Sequence, residues 1–194
     1  MLATMLPYEE TLRSIVRSDS AVMEILRAVR SADPPDWLVG AGMLRNVVWD
    51  ALHGYEERTA FRDVDVAYFD PTDLGPQREQ EIEMSLHHVL PGVPWQVKNQ
   101  AAVHLWYEER FGYAVEPLVS IEDAVGTWPE TVTAVGIRLL PDDQLEVLAP
   151  HGLDDMFELV LRRNPRRVSL EEFHKRMRDK RVLERWPRVR LVDG

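Results

Sequence analysis

Trp37-Leu38-Val39-Gly40-Ala41-Gly42-Met43-Leu44-Arg45-Asn46, followed at residues 62–66 by Arg-Asp-Val-Asp-Val, decides how the rest of the chain is read. Trp37, Leu38 and Val39 suit a short buried strand, and the glycines at 40 and 42 suit a turn into a helix. That helix is expected over residues 43–52, with Leu44, Val47 and Val48 inward and Gly54 closing it. A helix entered through glycines presents unpaired N–H groups and a positive dipole end close to any ligand, which suits phosphate. A glycine turn that merely reverses the chain looks the same in sequence.

Asp63 and Asp65 carry the second signal. On a strand over residues 64–68, positions i and i+2 point the same way, roughly 6–7 Å apart. Val64, Val66 and Tyr68 then share one face, and Asp63, Asp65, Ala67 and Phe69 the other. Two carboxylates converging beside an apolar strand repel each other and resist desolvation. A divalent cation relieves both, and magnesium favours one or two carboxylates completed by water and substrate phosphates.

Outward from this centre, residues 8–30 carry apolar positions near helical spacing and read as one helix, stopped by Pro34 and Pro35. Helices are expected at 77–89 and 101–110, with a strand at 95–100. Residues 131–139 and 145–148 read as strands paired across the turn at 141–143, and residues 154–161 and 169–184 as helices. Ser169 with Glu172 has capping-box spacing. The expected architecture is α/β (α+β): a short mixed β-sheet flanked by helices, forming a single domain over residues 1–194.

The chain has 194 residues, 45% of them hydrophobic, no cysteine and a formal net charge of −10. Disulfide frameworks, thiolate metal sites and cysteine nucleophiles are thereby excluded. No apolar run approaches the ~18 residues needed to span a bilayer, and MLATMLPYEE lacks a basic leader segment, so no membrane and a cytoplasmic location are expected. Bulk charge does not support RNA as a partner. Its distribution is uneven, however. Residues 162–190 hold 12 of the 23 lysines and arginines and 4 of the 33 acids, a net +8 against −18 elsewhere. This basic helical C-terminal segment is either a solvated face or a surface for a phosphate-bearing partner.

The order strand, glycine turn, helix, Asp-x-Asp strand resembles the nucleotidyltransferase superfamily of DNA polymerase β. The motif is most similar to that of tRNA nucleotidyltransferases and poly(A) polymerases, Gly-Gly-x-Val-Arg-Asp followed by Asp-apolar-Asp. Here it reads Ala41-Gly42-Met43-Leu44-Arg45-Asn46 and Asp63-Val64-Asp65. The stretches 45–50, 98–101, 128–131 and 149–155 also look like a family of mostly bacterial nucleotidyltransferase-fold proteins, across residues 37–187. That family implies the fold without implying an acceptor.

The resemblance implies that Gly42 and the helix start hold a nucleoside triphosphate, with Gly40 shaping the turn. Arg45 and Asn46 would reach phosphate or ribose. Asp63 and Asp65 would be the catalytic, magnesium-binding pair in a two-metal transfer of a nucleoside monophosphate to a hydroxyl. Two departures bear on this. The superfamily's third carboxylate is missing from the strand at 95–99, leaving Glu116 as the nearest later candidate, and Asn46 replaces an aspartate. A nucleotide- or partner-binding module without turnover is therefore the alternative, and a metal-dependent phosphohydrolase a third reading.

The histidines lack metal-ligand spacing, and no serine-hydrolase or zincin motif occurs. Trp106-Tyr107 is the pair suited to stacking on a base. Arg162, Arg163, Arg166 and Arg167 are candidates for the anion-facing edge of a cleft. Asp154 and Asp155 read as helix caps.

Overall fold

The computed structural model describes residues 7–193. Helices α1 (Pro7–Ser18) and α2 (Ser20–Ala32) lead into β1 (Leu38–Gly40), α3 (Gly42–His53) and β2 (Val64–Tyr68). Then come α4 (Pro76–Val89), β3 (Trp95–Asn99), α5 (Val103–Phe111), α6 (Ile121–Val125), β4 (Gly136–Leu139) and β5 (Leu145–Leu148). The chain continues through α7 (Asp154–Phe157), β6 (Val160–Arg162), α8 (Leu170–Lys180), α9 (Val182–Arg185) and β7 (Arg190–Val192). Among the described residues no helix is long and apolar enough to cross a membrane.

Five strands form one mixed sheet in the order β3-β2-β1-β4-β5. β1 lies antiparallel to both β2 and β4, whereas β2 and β3 run parallel, joined by α4. The two-residue period expected for β2 holds. Val64, Val66 and Tyr68 enter the main core with Leu44, Val48 and Trp49 of α3 and Ile82 and Leu86 of α4. Ala67, on the opposite face, packs with Leu38 under Ile121 and Val125 of α6. That short helix covers Ala67 but leaves the stretch holding Asp63 and Asp65 open. The sheet therefore has one fully packed face and one partly bare end.

Four expectations change. The helix over residues 8–30 is two helices, because the Asp19 carboxylate accepts from the N–H groups of Ala21 (3.0 Å) and Val22 (3.1 Å) and starts α2 afresh. Residues 131–133 form a 3-10 turn instead of the start of a strand, and β4 begins only at Gly136. There the Thr133 hydroxyl donates to the Glu130 carbonyl and side chain (3.0 and 2.8 Å), a local alternative to strand pairing. The helix expected at 154–161 stops at Phe157. Leu159 turns through φ +57°, and β6 then pairs parallel with β7, residues near the chain's end. The basic segment is accordingly helical through α8 and α9 and closes with a strand. Ser169 does cap α8 in a full capping box with Glu172.

Candidate active site

Strand register brings the two sequence signals together. Gly40 at the end of β1 stands opposite Asp65 of β2 on one side and Gly136 of β4 on the other. A side chain at Gly40 would place its Cβ 2.4 Å from the Val135 carbonyl oxygen, so this glycine permits close strand packing. Ala41 follows with φ +55° and donates its N–H to Val135 (3.1 Å), turning the chain abruptly into α3. Among the described residues no side chain caps α3, which leaves its first-turn amides available to an anion.

The start of α3 borders a cleft of about 460 Å³ whose lining includes Ala41, Gly42, Asp63, Asp65, Glu130, Thr133, Arg176 and Lys180. Asp63 immediately precedes β2 and Asp65 is its second residue. Burial, reinforced by the Asp63 charge and opposed by Lys180, raises the Asp65 carboxyl to about 6. Among the described residues no hydrogen bond or ion pair engages either carboxylate. A pair of this kind suits a cation shared with phosphate oxygens. It does not make a closed protein cage: no cluster of three or more His, Asp or Glu side chains able to hold a metal occurs among the described residues.

Of the other expected site residues, Gly40 lies beneath the turn, and Arg45 and Asn46 do not line the cleft. Arg45 is buried between the rings of Trp49 and Trp186 (5.4 and 5.2 Å to the centroids), and its Nε and Nη2 donate to the Asn46 side-chain oxygen (3.2 and 2.8 Å). Its Nη1 is buried without a hydrogen-bond partner among the described residues. Burial lowers the Arg45 pKa, while Glu130 and Asp63 oppose that shift. Arg45 thus places positive charge behind the cleft wall.

Glu116 is exposed and outside the cleft, so the carboxylate accompanying the aspartates is Glu130 instead. Glu130 is 1% exposed, accepts from Arg176 Nε (3.0 Å) and Thr133 Oγ1 (2.8 Å), and so is already engaged. Burial works against its ionisation, but Lys180, Arg176 and Thr133 outweigh it and hold the carboxyl below its ordinary range. Burial in turn lowers the Lys180 ammonium, with Glu130 and Asp63 pulling the other way. Arg176 and Lys180 were not singled out from the sequence. Their i,i+4 spacing on one helical face was the available signal. The contact to Glu130, 46 residues away, was not.

The arginines around residue 164 divide. Arg162 pairs with Asp155 (2.9 Å), which with Thr131 accounts for that aspartate without a capping role; Leu153 occupies the cap position of α7. Arg166 pairs with Asp123, and Arg163 donates to the carbonyls of Asp193 and Val168. Only Arg167 of the four joins a second, larger cavity of about 1200 Å³ beside the cleft, together with Trp106 and Tyr107.

A family model described as a nucleotidyltransferase matches residues 27–191. Among solved structures, an NMR structure described as revealing a CCA-adding enzyme head domain is 26% identical, with a TM-score of 0.79. The match covers 95% of this chain and 96% of that one. A CCA-adding enzyme in complex with CTP matches at 15% identity and TM-score 0.56, and the apo form I of a CCA-adding enzyme at 14% and 0.54. These two show the fold alone. They align over 95% and 94% of this chain, which spans 43% of each. No curated protein sequence matches the chain.

Proposed function

The chain belongs to the nucleotidyltransferase family, and on that premise we propose that it transfers a nucleoside monophosphate from a nucleoside triphosphate to a hydroxyl acceptor, with magnesium held by Asp63 and Asp65. The observation that carries the reading is the register that sets the uncapped start of α3 beside Asp65 in one cleft. The likeness to a fold solved with CTP supports a triphosphate as donor.

In this reading the first-turn amides of α3 receive phosphate oxygens, and Arg176 and Lys180 add positive charge from the opposite wall. Glu130 positions both cations, directly for Arg176 and through its charge for Lys180. Asp63 and Asp65 would hold the metal. When bound, magnesium supplies Lewis acidity for the attacking hydroxyl and charge neutralisation for the leaving group. The acceptor oxygen forms a bond to the α-phosphorus, the bond from that phosphorus to the bridging oxygen breaks, and pyrophosphate leaves. The hydroxyl proton passes to solvent. The protein's share is positioning and charge.

A second reading, nucleotide binding without turnover, is favoured by the engagement of Glu130 with Arg176 and Thr133, which leaves Asp63 and Asp65 as the cleft's unengaged carboxylates among the described residues. Incubation with magnesium and α-labelled nucleoside triphosphates separates the readings. Transfer gives pyrophosphate and a labelled adduct, both lost in Asp63→Asn with Asp65→Asn. Free nucleoside monophosphate without adduct would instead indicate hydrolysis. Nucleotide binding with no product in the presence of any hydroxyl compound would favour the binding module.

A further inference from the structure

The cavity beside the cleft is continuous with it: Gln96, Lys98, Gln100, Arg110 and Trp128 line both. One wall is aromatic, built from Trp106, Tyr107 and Phe111, with Trp128 at the junction. Three of these four rings project from α5. Trp106 is partly buried and Phe111 is 44% exposed, so apolar surface is left facing open space in a cavity that adjoins the cleft of Asp63 and Asp65. We propose that this chamber is the acceptor site and that the acceptor is a nucleoside-class small molecule, a planar ring carrying a hydroxylated sugar. The proposal rests on the transferase reading above.

The chemistry of the walls orders such a molecule. Stacking requires a planar ring against Trp106 and Phe111. The side-chain amides of Gln96 and Gln100, which both donate and accept, stand between that wall and the aspartates, where sugar hydroxyls would lie. A ring on the aromatic wall with its sugar toward the cleft thus aims a hydroxyl at Asp63 and Asp65. The volume, about 1200 Å³, is slightly above the range of roughly 300–1000 Å³ in which single small ligands are held.

The charges argue against a nucleic-acid strand. Strand binding needs a track of cations free for successive phosphates. Here Lys98 is paired with Glu79 (2.6 Å) and Arg176 with Glu130 (3.0 Å), Arg110 lies over Trp106 and Phe111 (5.9 and 5.6 Å), and Arg167 lies over Tyr107 (5.2 Å). Among the described residues Lys175 alone of the cavity's cations has no ion pair or ring contact, and one cation makes no track. Glu109 and Asp179 stand on the same walls.

The test saturates the protein with magnesium and a non-hydrolysable triphosphate and then titrates adenosine, read by saturation-transfer NMR, with a single-stranded RNA hexanucleotide in parallel. Adenosine is expected to bind the loaded protein, and Trp106→Ala and Phe111→Ala each to weaken it at least tenfold while triphosphate affinity is unchanged. The hexanucleotide is expected to bind no more tightly than adenosine. Three results would overturn the proposal. Tenfold tighter hexanucleotide binding would mean a strand acceptor. Loss of triphosphate affinity in Trp106→Ala would give the chamber to the donor's own base. Absence of adenosine binding to a protein that does bind the triphosphate would remove the acceptor class alone. Failure to bind magnesium and triphosphate at all would instead sink the transferase reading beneath it.

Discussion

Asp65 is ionised against its surroundings. Its carboxyl sits at about 6, raised from 3.8 first by burial and then by Asp63. Between those values the folded chain holds a proton that the unfolded chain has released. The contribution of Asp65 to stability is therefore fully present below about pH 4 and is lost as pH rises through 6. In EDTA, Asp65→Asn should raise the melting temperature at pH 7.5 and change it little at pH 4.5, a difference worth on the order of 2 kcal/mol. Equal effects at both values would contradict the assignment. The two glycines make a contrasting pair. Gly40→Ala would drive a Cβ to 2.4 Å from the Val135 oxygen and should destabilise the fold by roughly 2 kcal/mol or more. Gly42→Ala meets nothing closer than Arg45 Nη2 at 3.8 Å, so its melting temperature should stay near that of the wild type. Both glycines are legible in the sequence as a turn. Their different work is not, because the Val135 oxygen belongs to the residue just before β4, which folds beside Gly40 from almost a hundred residues away.

Element by element, the sequence conveys most where periodicity is long and local. The strand at 64–68, the helix that starts by Gly42 and the capping box of α8 all stand where spacing puts them. It conveys least where distant partners decide the structure. β6 exists because β7 pairs with it, and α6 covers Ala67 through only five residues. The same holds for α8, whose sequence reads as a basic surface helix although Arg176 and Lys180 reach the cleft. Lys180→Ala should raise the dissociation constant for a magnesium–triphosphate complex about tenfold, near 1.4 kcal/mol. It should not lower thermal stability, since it removes a cation that burial disfavours. Titration calorimetry paired with thermal melting would check both halves. The segment that follows α8 is anchored by Asp50, which accepts from the Thr59 N–H and hydroxyl (2.7 and 2.8 Å) and from Trp186 Nε1 (2.8 Å). Asp50→Ala strands these donors and should cost about 3 kcal/mol in denaturant unfolding.

At the scale of the whole molecule, the net charge of −10 says little, and its placement says more. The +8 segment is partly spent on pairs such as Arg162–Asp155 and Arg166–Asp123, and partly delivered to the cleft by Arg176 and Lys180. In the proposed reading a phosphate-bearing ligand would meet cations on one wall and, on the other, the aspartate pair proposed to hold magnesium. The aspartate pair and the helix start were visible in the residues themselves. The carboxylate that orients the cations was not, since Glu130 belongs to the cleft only after β4, α8 and the 3-10 turn have come together. The central claim is that Asp63 and Asp65 recruit a triphosphate through magnesium. Titration calorimetry of a non-hydrolysable triphosphate, with magnesium and with EDTA, tests it most directly on the wild type and on Asp63→Asn with Asp65→Asn. Binding that requires magnesium and disappears in the double variant is the expected result. Equal affinity in EDTA, or in a folded double variant, would contradict it.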